Sequence, residues 1–369
     1  MKEQQPIPFI DLGAQYETVE QPLEAAVLSV LRSQQFILGP TVKNFESACE
    51  AYCNVPFATG VSSGTDALLI ALMALGIGPG DEVIVPDFSF FATVGSVVRV
   101  GATPVFVDID PATFNMDPAA VSAAITSATK AVIPVHLFGQ CADMTSIVAI
   151  ARKHGIFVIE DAAQAIGASC EAGNAGAIGD IGCFSFFPTK NLGGIGDGGL
   201  VTCQDPNLYN RLIQLRNHGS SPKYNHVLVG GNFRLDAIQA AALSVKLNYL
   251  DSWTKARREH ASHYRASLQG IDGIELPTEV AGNKHVYHQY VIKVPGRRDE
   301  LRKRLSDAGI GTEIYYPKPL HKQPCFQNTP DDHCPQAQHA SESVLALPIF
   351  PELTKEQLDR ICNAISELF

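Results

Sequence analysis

A chain of 369 residues is long enough for roughly two domains and a sizeable buried core. Hydrophobic residues make up 46% and charged residues 18%, a balance that excludes a disordered chain. The formal net charge of −10 argues against a protein that lives on nucleic acid or acidic lipid.

In chain order, the opening MKEQQPIPFI lacks a signal-peptide pattern. Cys49 and Cys53 lie four apart in a segment that reads as helix, on one face and without partners. Gly64–Leu75 (GTDALLIALMAL) reads as a buried helix ending in the loop GIGPGDE. Short apolar runs then alternate with helical stretches. Strand candidates are Glu82–Asp87, Pro104–Asp110, Ala131–Gly139, Phe157–Asp161, Cys183–Phe187 and Gly199–Cys203, with a helix over Met144–Lys153. Near-continuous apolar runs are what strands buried on both faces require, so an α/β fold with a mainly parallel sheet is expected. A further helical tract, Asp236–Asp251, leads into the charged run WTKARREH, where the domain junction is placed. The expected units are a large domain over 1–251, N-terminal arm included, and a smaller α/β domain over 252–369.

The basic groups Lys255, Arg257, Arg258 and Arg297, Arg298 read as solvated faces. Nine cysteines without CxxC pairs or metal-ligand spacing fit reduced thiols, and no metal site is expected. No apolar run approaches the length of a membrane span. The expectation is a soluble cytoplasmic protein with no nucleic-acid or membrane partner.

Four features fall where parallel sheets collect ligands, at strand carboxyl ends beside helix N-termini. Ser63-Gly64-Thr65 precedes a helix, and its free N–H groups suit a phosphate or serve as an ordinary cap. Asp161 ends an apolar run and is followed by Ala162, Ala163 and Gln164. A carboxylate there can hold a protonated ring nitrogen or cap a following helix that would carry Gln164 to the same place. Ser185 and Lys190 lie in FSFFPTKNLGGIGDGG, where a partly desolvated lysine becomes a nucleophile; a surface lysine in a turn is the other reading. Gly230-Gly231-Asn232-Phe233-Arg234, ahead of a helix, suits an anionic ligand or a plain turn.

The runs SSGTDAL, GDEVIVP, PVHLFGQ, IEDAAQAIGA, FSFFPTKNLG-x-x-GDGG and GNFRLDAIQAA resemble, in order and spacing, the DegT/DnrJ/StrS family of nucleotide-sugar aminotransferases. The likeness extends from Phe9–Tyr16 to Ala346–Pro351. It implies a fold-type-I enzyme of pyridoxal 5'-phosphate (PLP): a large domain with a mostly parallel seven-stranded sheet, a smaller C-terminal α/β domain, and a homodimer with shared active sites. Carried over, Lys190 is the Schiff-base lysine, Asp161 the partner of the pyridine nitrogen and Gln164 a contact of the ring's phenolic oxygen. Gly64, Thr65 and Ser185 bind the phosphate, with Asn232 reaching in from the other subunit. The ring-stacking aromatic falls at Phe90, which by local sequence alone fits a core position equally well. Arg234, with its planar fork, suits the diphosphate of a nucleotide sugar.

Many members carry His-Tyr-Pro-x-Pro near the sugar; here the segment is Tyr315-Tyr316-Pro317-Lys318-Pro319, with Tyr315 in the histidine's place. His321 and His288 are further candidates, with a structural role the equal alternative for each. The implied reaction moves an amino group from glutamate or glutamine to a nucleotide-linked keto-sugar, with C3 favoured by the Tyr-Pro-x-Pro form. The implied setting is polysaccharide, antigen or glycoside sugar biosynthesis. Lys190 argues against the related sugar dehydratases, which carry histidine there. The set Asp161, Gln164, Ser185, Lys190 and Asn232 argues against a non-catalytic regulator.

Overall fold

The computed structural model describes residues 5–326 and 334–369, so the first four residues of the expected arm lie outside it. In chain order the strands are β1 (Phe57–Val61), β2 (Glu82–Pro86), β3 (Thr103–Val107), β4 (Thr129–Val132) and β5 (Phe157–Asp161). They continue as β6 (Ser169–Cys170), β7 (Gly173–Asn174), β8 (Ile181–Ser185), β9 (Gly199–Cys203), β10 (Tyr290–Lys293) and β11 (Val344–Leu347). Seven of them form one sheet in the order β1-β9-β8-β5-β4-β2-β3. Within it β9 runs antiparallel to β1 and β8, and the remaining pairings are parallel. An antiparallel return needs no crossover helix. The loop between β8 and β9 therefore folds back at the carboxyl edge, and Lys190 sits in that loop.

Both faces of the sheet are covered, which explains the unbroken apolar runs. Successive residues of a strand point to opposite faces. Val83 and Val85 of β2 join one core with Leu68, Ile70 and Leu72 of the helix Gly64–Leu75. Ile84 joins a second with Val132, Ile147 and Val158. A further core under β8 and β9 is built from Phe45, Phe184, Leu200 and Leu243. The C-terminal part has its own core of Tyr264, Tyr290, Leu301, Leu305, Leu345 and Ile361 around the β10–β11 pair.

The structure differs from the sequence reading at several places. Strand β1 was not foreseen, because Phe-Ala-Thr-Gly-Val is short and carries a glycine. The run Ala131–Gly139 is strand only to Val132: Pro134 has no N–H for the ladder, and the chain then turns at Leu137–Gly139. The charged run after Trp253, where the junction was placed, lies within one helix, Leu250–Leu268. Arg257 in it is not a solvated residue. It is buried, and its Nη1 donates to the carbonyls of Tyr287 (3.2 Å) and Ile349 (2.6 Å). Ile7 of the arm packs into the C-terminal core, and its N–H donates to Gly309 O at 2.8 Å. All nine cysteines are free thiols. Among the described residues no helix is long and apolar enough to cross a membrane.

Edge strand β1 is held by a buried ion pair. Glu46 Oε1 accepts from Gly60 N at 2.8 Å and from Arg216 Nη1 at 2.5 Å, and Arg216 also donates to Gly60 O at 3.2 Å. Exposed pairs such as Lys255–Glu259 at 3.9 Å contribute only about 0.3–0.5 kcal/mol. Leaving a buried arginine without its partner costs about 3–5 kcal/mol, so urea unfolding of Glu46→Ala is expected to show a loss of that size. The same change at Glu259 is expected to be nearly silent.

Candidate active site

A cavity of about 590 Å³ opens at the carboxyl edge of the sheet, between the ends of β1, β5 and β8 and the segment Ile314–Tyr316. On one side the helix Gly64–Leu75 begins. Ser63 caps it, accepting from Asp66 N at 3.1 Å. The N–H groups of Gly64 and Thr65 find no acceptor among the described residues and stay available at the positive end of the helix dipole. A Cβ on Gly64 would lie 2.6 Å from Ser185 Cβ, so glycine is what lets the Ser185 hydroxyl sit against this helix end. Ser185 Oγ accepts from Phe187 N at 3.3 Å, leaving its proton free to donate.

Asp161 is 5% exposed. Thr93 Oγ1 donates to its Oδ2 at 2.8 Å and Ala163 N to its Oδ1 at 3.2 Å, while Thr93 contacts Ser89 Oγ at 2.9 Å. Burial pushes the carboxyl pKa up, and Thr93, Ala163 and Lys190 pull it back. A buried carboxylate in this state gains most from a cation brought against it. No helix follows Asp161; Ala162–Ala168 forms turns, with Gly167 at φ 83°. A turn, not a helix, thus delivers Gln164 to the cavity. Its Oε1 accepts from Phe138 N at 2.7 Å and its Nε2 donates to Tyr316 OH at 3.1 Å.

The Lys190 loop is fixed from several sides. Lys190 N donates to Phe187 O (2.8 Å), Asn191 Nδ2 to Val286 O (3.1 Å) and Lys246 Nζ to Gly193 O (2.9 Å). A Cβ on Gly193 would lie 2.1 Å from Pro188 O, so the loop closes on itself only with glycine there. Burial lowers the Lys190 pKa to about 8, against the opposing pull of Asp161.

Gly64, Thr65, Phe90, Asp161, Gln164, Ser185, Lys190, Tyr315 and Tyr316 all line this one cavity, as does His288. Phe90 is 59% exposed at the rim, so it is no core residue, and its ring lies 6.3 Å from that of Tyr316. Three candidates lie elsewhere. His321 was expected near a sugar but is 2% exposed; its Nδ1 pairs with buried Asp87 at 2.5 Å and its N–H with Asp87 Oδ1 at 2.8 Å. Asn232 and Arg234 lie outside the cavity of their own chain, beside Asn217 and Val61. Sequence reasoning missed Thr93. It stands 68 residues from Asp161, and only its place four after Ser89 on the following helix hinted at a role.

The donor set suits one kind of cofactor. Two free amides and a hydroxyl at a helix start fit a phosphate, a buried carboxylate fits a protonated ring nitrogen, and a depressed amine fits an aldehyde. Fold and site together define an enzyme of the fold-type-I, PLP-dependent class. The profile of the DegT/DnrJ/EryC1/StrS aminotransferase family matches residues 18–366, and the chain belongs to that family. It is 50% identical over 98% of both chains to a protein of Geobacillus stearothermophilus named pleiotropic regulatory protein. It is 47% identical, over 97% of both, to a UDP-N-acetyl-3-dehydro-alpha-D-glucosamine 3-aminotransferase of Acidithiobacillus ferrooxidans. The crystal structure of DesV of S. venezuelae, in complex with a ketimine intermediate, superposes with a TM-score of 0.97 at 43% identity, covering 99% of each chain.

An amine reacts with an aldehyde only when unprotonated, which sets a pH test. Covalent capture of PLP by cofactor-free protein, followed by absorbance, is expected to rise with pH to a half-way point at about 8. A half-way point near the ordinary lysine value of 10.5 would refute the burial argument.

Proposed function

We propose that this enzyme moves an amino group from glutamate or glutamine to the keto carbon of a nucleotide-linked sugar, at C3. The observation that carries the reading is the convergence of Lys190, Asp161, Gln164 and the tyrosine pair on a single cavity. The similarity to a 3-aminotransferase of a UDP-sugar supports it. The name of the Geobacillus relative suggests regulation instead, but a regulator has no use for a depressed lysine facing a buried carboxylate.

Bound here, PLP supplies an aldehyde for the amino group and a ring that spreads the electrons released at the substrate carbon. Gly64, Thr65 and Ser185 would hold the phosphate, and Phe90 at the rim would meet the ring. Asp161 keeps the ring nitrogen protonated. Gln164, its amide direction set by Phe138 N, offers Nε2 to the phenolic oxygen. Lys190 Nζ would hold or move a proton at the substrate carbon. Tyr315 and Tyr316 meet the sugar on a backbone stiffened by Pro317 and Pro319.

The working unit is a homodimer in the cytoplasm, serving polysaccharide, antigen or glycoside sugar synthesis. Tyr224 (83% exposed) and Val229 (90% exposed) stand on the loop just before Asn232, and Phe90 and Phe187 at the cavity rim are exposed too. Apolar surface of this kind fits a second copy, with Asn232 reaching the neighbour's phosphate and Arg234 the diphosphate of the substrate.

Offered matched 3-keto and 4-keto nucleotide sugars with glutamate or glutamine, the protein is expected to aminate C3, assigned by NMR of the product, and Lys190→Ala to form none. Amination at C4 alone would overturn the position while keeping the class; full activity of Lys190→Ala would overturn the mechanism.

The shared site is tested by complementation. Co-expressed Lys190→Ala and Asn232→Asp chains form mixed dimers in which one site carries both lesions and the other none. Turnover well above that of either parent is expected, and mixed dimers no better than Asn232→Asp alone would refute the sharing.

A further inference from the structure

His288 lines the cavity beside Lys190 and is 6% exposed. Its hydrogen bonds settle where its proton lies. Asn191 Nδ2 donates to Val286 O at 3.1 Å, and a carbonyl can only accept, so the amide oxygen of Asn191 faces the other way. That oxygen lies 3.1 Å from His288 Nδ1, which must therefore carry the proton and donate. Nε2 is left with a bare lone pair. It has no hydrogen-bond partner among the described residues, yet it is not among the side-chain nitrogens sealed from solvent without one. The open space the ring adjoins is the cavity that Lys190 also lines.

We propose that His288 is the positioning residue of Lys190, its Nε2 accepting a hydrogen bond from the lysine ammonium whenever Lys190 carries a proton. The proposal rests on the reading of Lys190 as the cofactor-carrying, proton-moving residue. In that cycle Lys190 alternates between amine and ammonium, and the ammonium needs an acceptor that holds it toward the reacting carbon without taking the proton away. A histidine that stays neutral meets this need. Burial drives its pKa well below the ordinary value, and the charges of Lys190 and Arg257 push the same way. The charged and titratable groups that line the cavity with the pair are Asp161, at the end of β5, Asp197, Tyr315 and Tyr316, and Arg257 packs behind, its Nη1 3.5 Å from the His288 carbonyl. Asp161 attracts the ammonium across the cavity, and His288 supplies the acceptor on the side of the C-terminal segment.

The test reads the Lys190 amine in cofactor-free protein, so it is independent of whether any sugar is aminated. The pH dependence of Lys190 acylation by an amine-specific reagent, scored by peptide mass spectrometry, is compared in wild type, His288→Gln and His288→Leu. Gln keeps an oxygen near the place of Nε2, and its midpoint is expected to stay near that of wild type. Leu removes the acceptor, and its midpoint is expected to fall by about one pH unit, the size of one hydrogen bond to a charged group. A merely structural histidine would leave the midpoint of folded His288→Leu unchanged, and that result overturns the proposal. Should both variants fail to fold, ¹⁵N spectra of histidine-labelled wild type decide. An Nδ1–H tautomer whose bare Nε2 signal moves with Lys190 titration, and no longer does so in Lys190→Ala, supports the proposal. An Nε2–H tautomer, or an Nε2 signal indifferent to Lys190, refutes it.

Discussion

Glu160 is fully buried in β5, and its two oxygens accept from His136 Nε2 (2.8 Å) and from the amides of Gly176 (2.8 Å), Ile178 (2.7 Å) and Gly179 (2.6 Å). His136 Nδ1 accepts from Ala142 N at 3.1 Å, so its ring proton sits on Nε2 and points at the carboxylate. A buried charge so surrounded cannot move without stranding itself, and each of these bonds is of the strong, charge-assisted kind. Side chains alternate along a strand, so fixing Glu160 on one face aims Asp161 at the other. The His136 N–H closes the arrangement on Asp161 O at 3.0 Å. The acid of the site is thus aimed by its neighbour, which takes no part in the chemistry.

With that direction set, the electrostatics follow from opposed demands. Burial alone would neutralise both Asp161 and Lys190, raising one pKa and lowering the other. Each charge partly restores its partner, and the lysine settles within reach of neutral pH. The carboxylate is further retained by Thr93 and Ala163, so the group that must stay ionised has the better support. The cavity therefore holds an amine that burial brings down to about 8 next to a carboxyl that burial pushes up.

Features that depend on local sequence were legible. The helix Gly64–Leu75 was read to the residue, because a capping serine, an apolar run and a terminal glycine bracket it. β5 and β9 matched their apolar runs for the same reason. What failed depended on partners far away in the chain. Arg257 looked solvated because nothing nearby announces the carbonyl of Ile349, 92 residues on. His321 looked available because its partner, Asp87, lies 234 residues earlier. The turn at Gln164 was taken for a helix because Ala-Ala-Gln-Ala-Ile has helical propensity; the β5 end and its hydrogen bonds override it. The residues of the cavity, Gly64 and Tyr316 among them, were brought together by the motifs of the resemblance rather than by anything in their local sequence.

The Asp87–His321 contact couples two parts of the cavity wall. Asp87 follows β2 directly, and besides holding the His321 ring it accepts Leu320 N on its backbone carbonyl at 2.7 Å. Tyr315 and Tyr316 stand a few residues upstream, separated from this anchorage by Pro317 and Pro319. The wall is consequently bolted to the same sheet edge that carries Asp161. Fit and reactivity then reside in separate pieces of chain. Substitutions at 314–316 can retarget the cavity to a differently shaped guest while the anchorage and the proton-handling groups stay as they are.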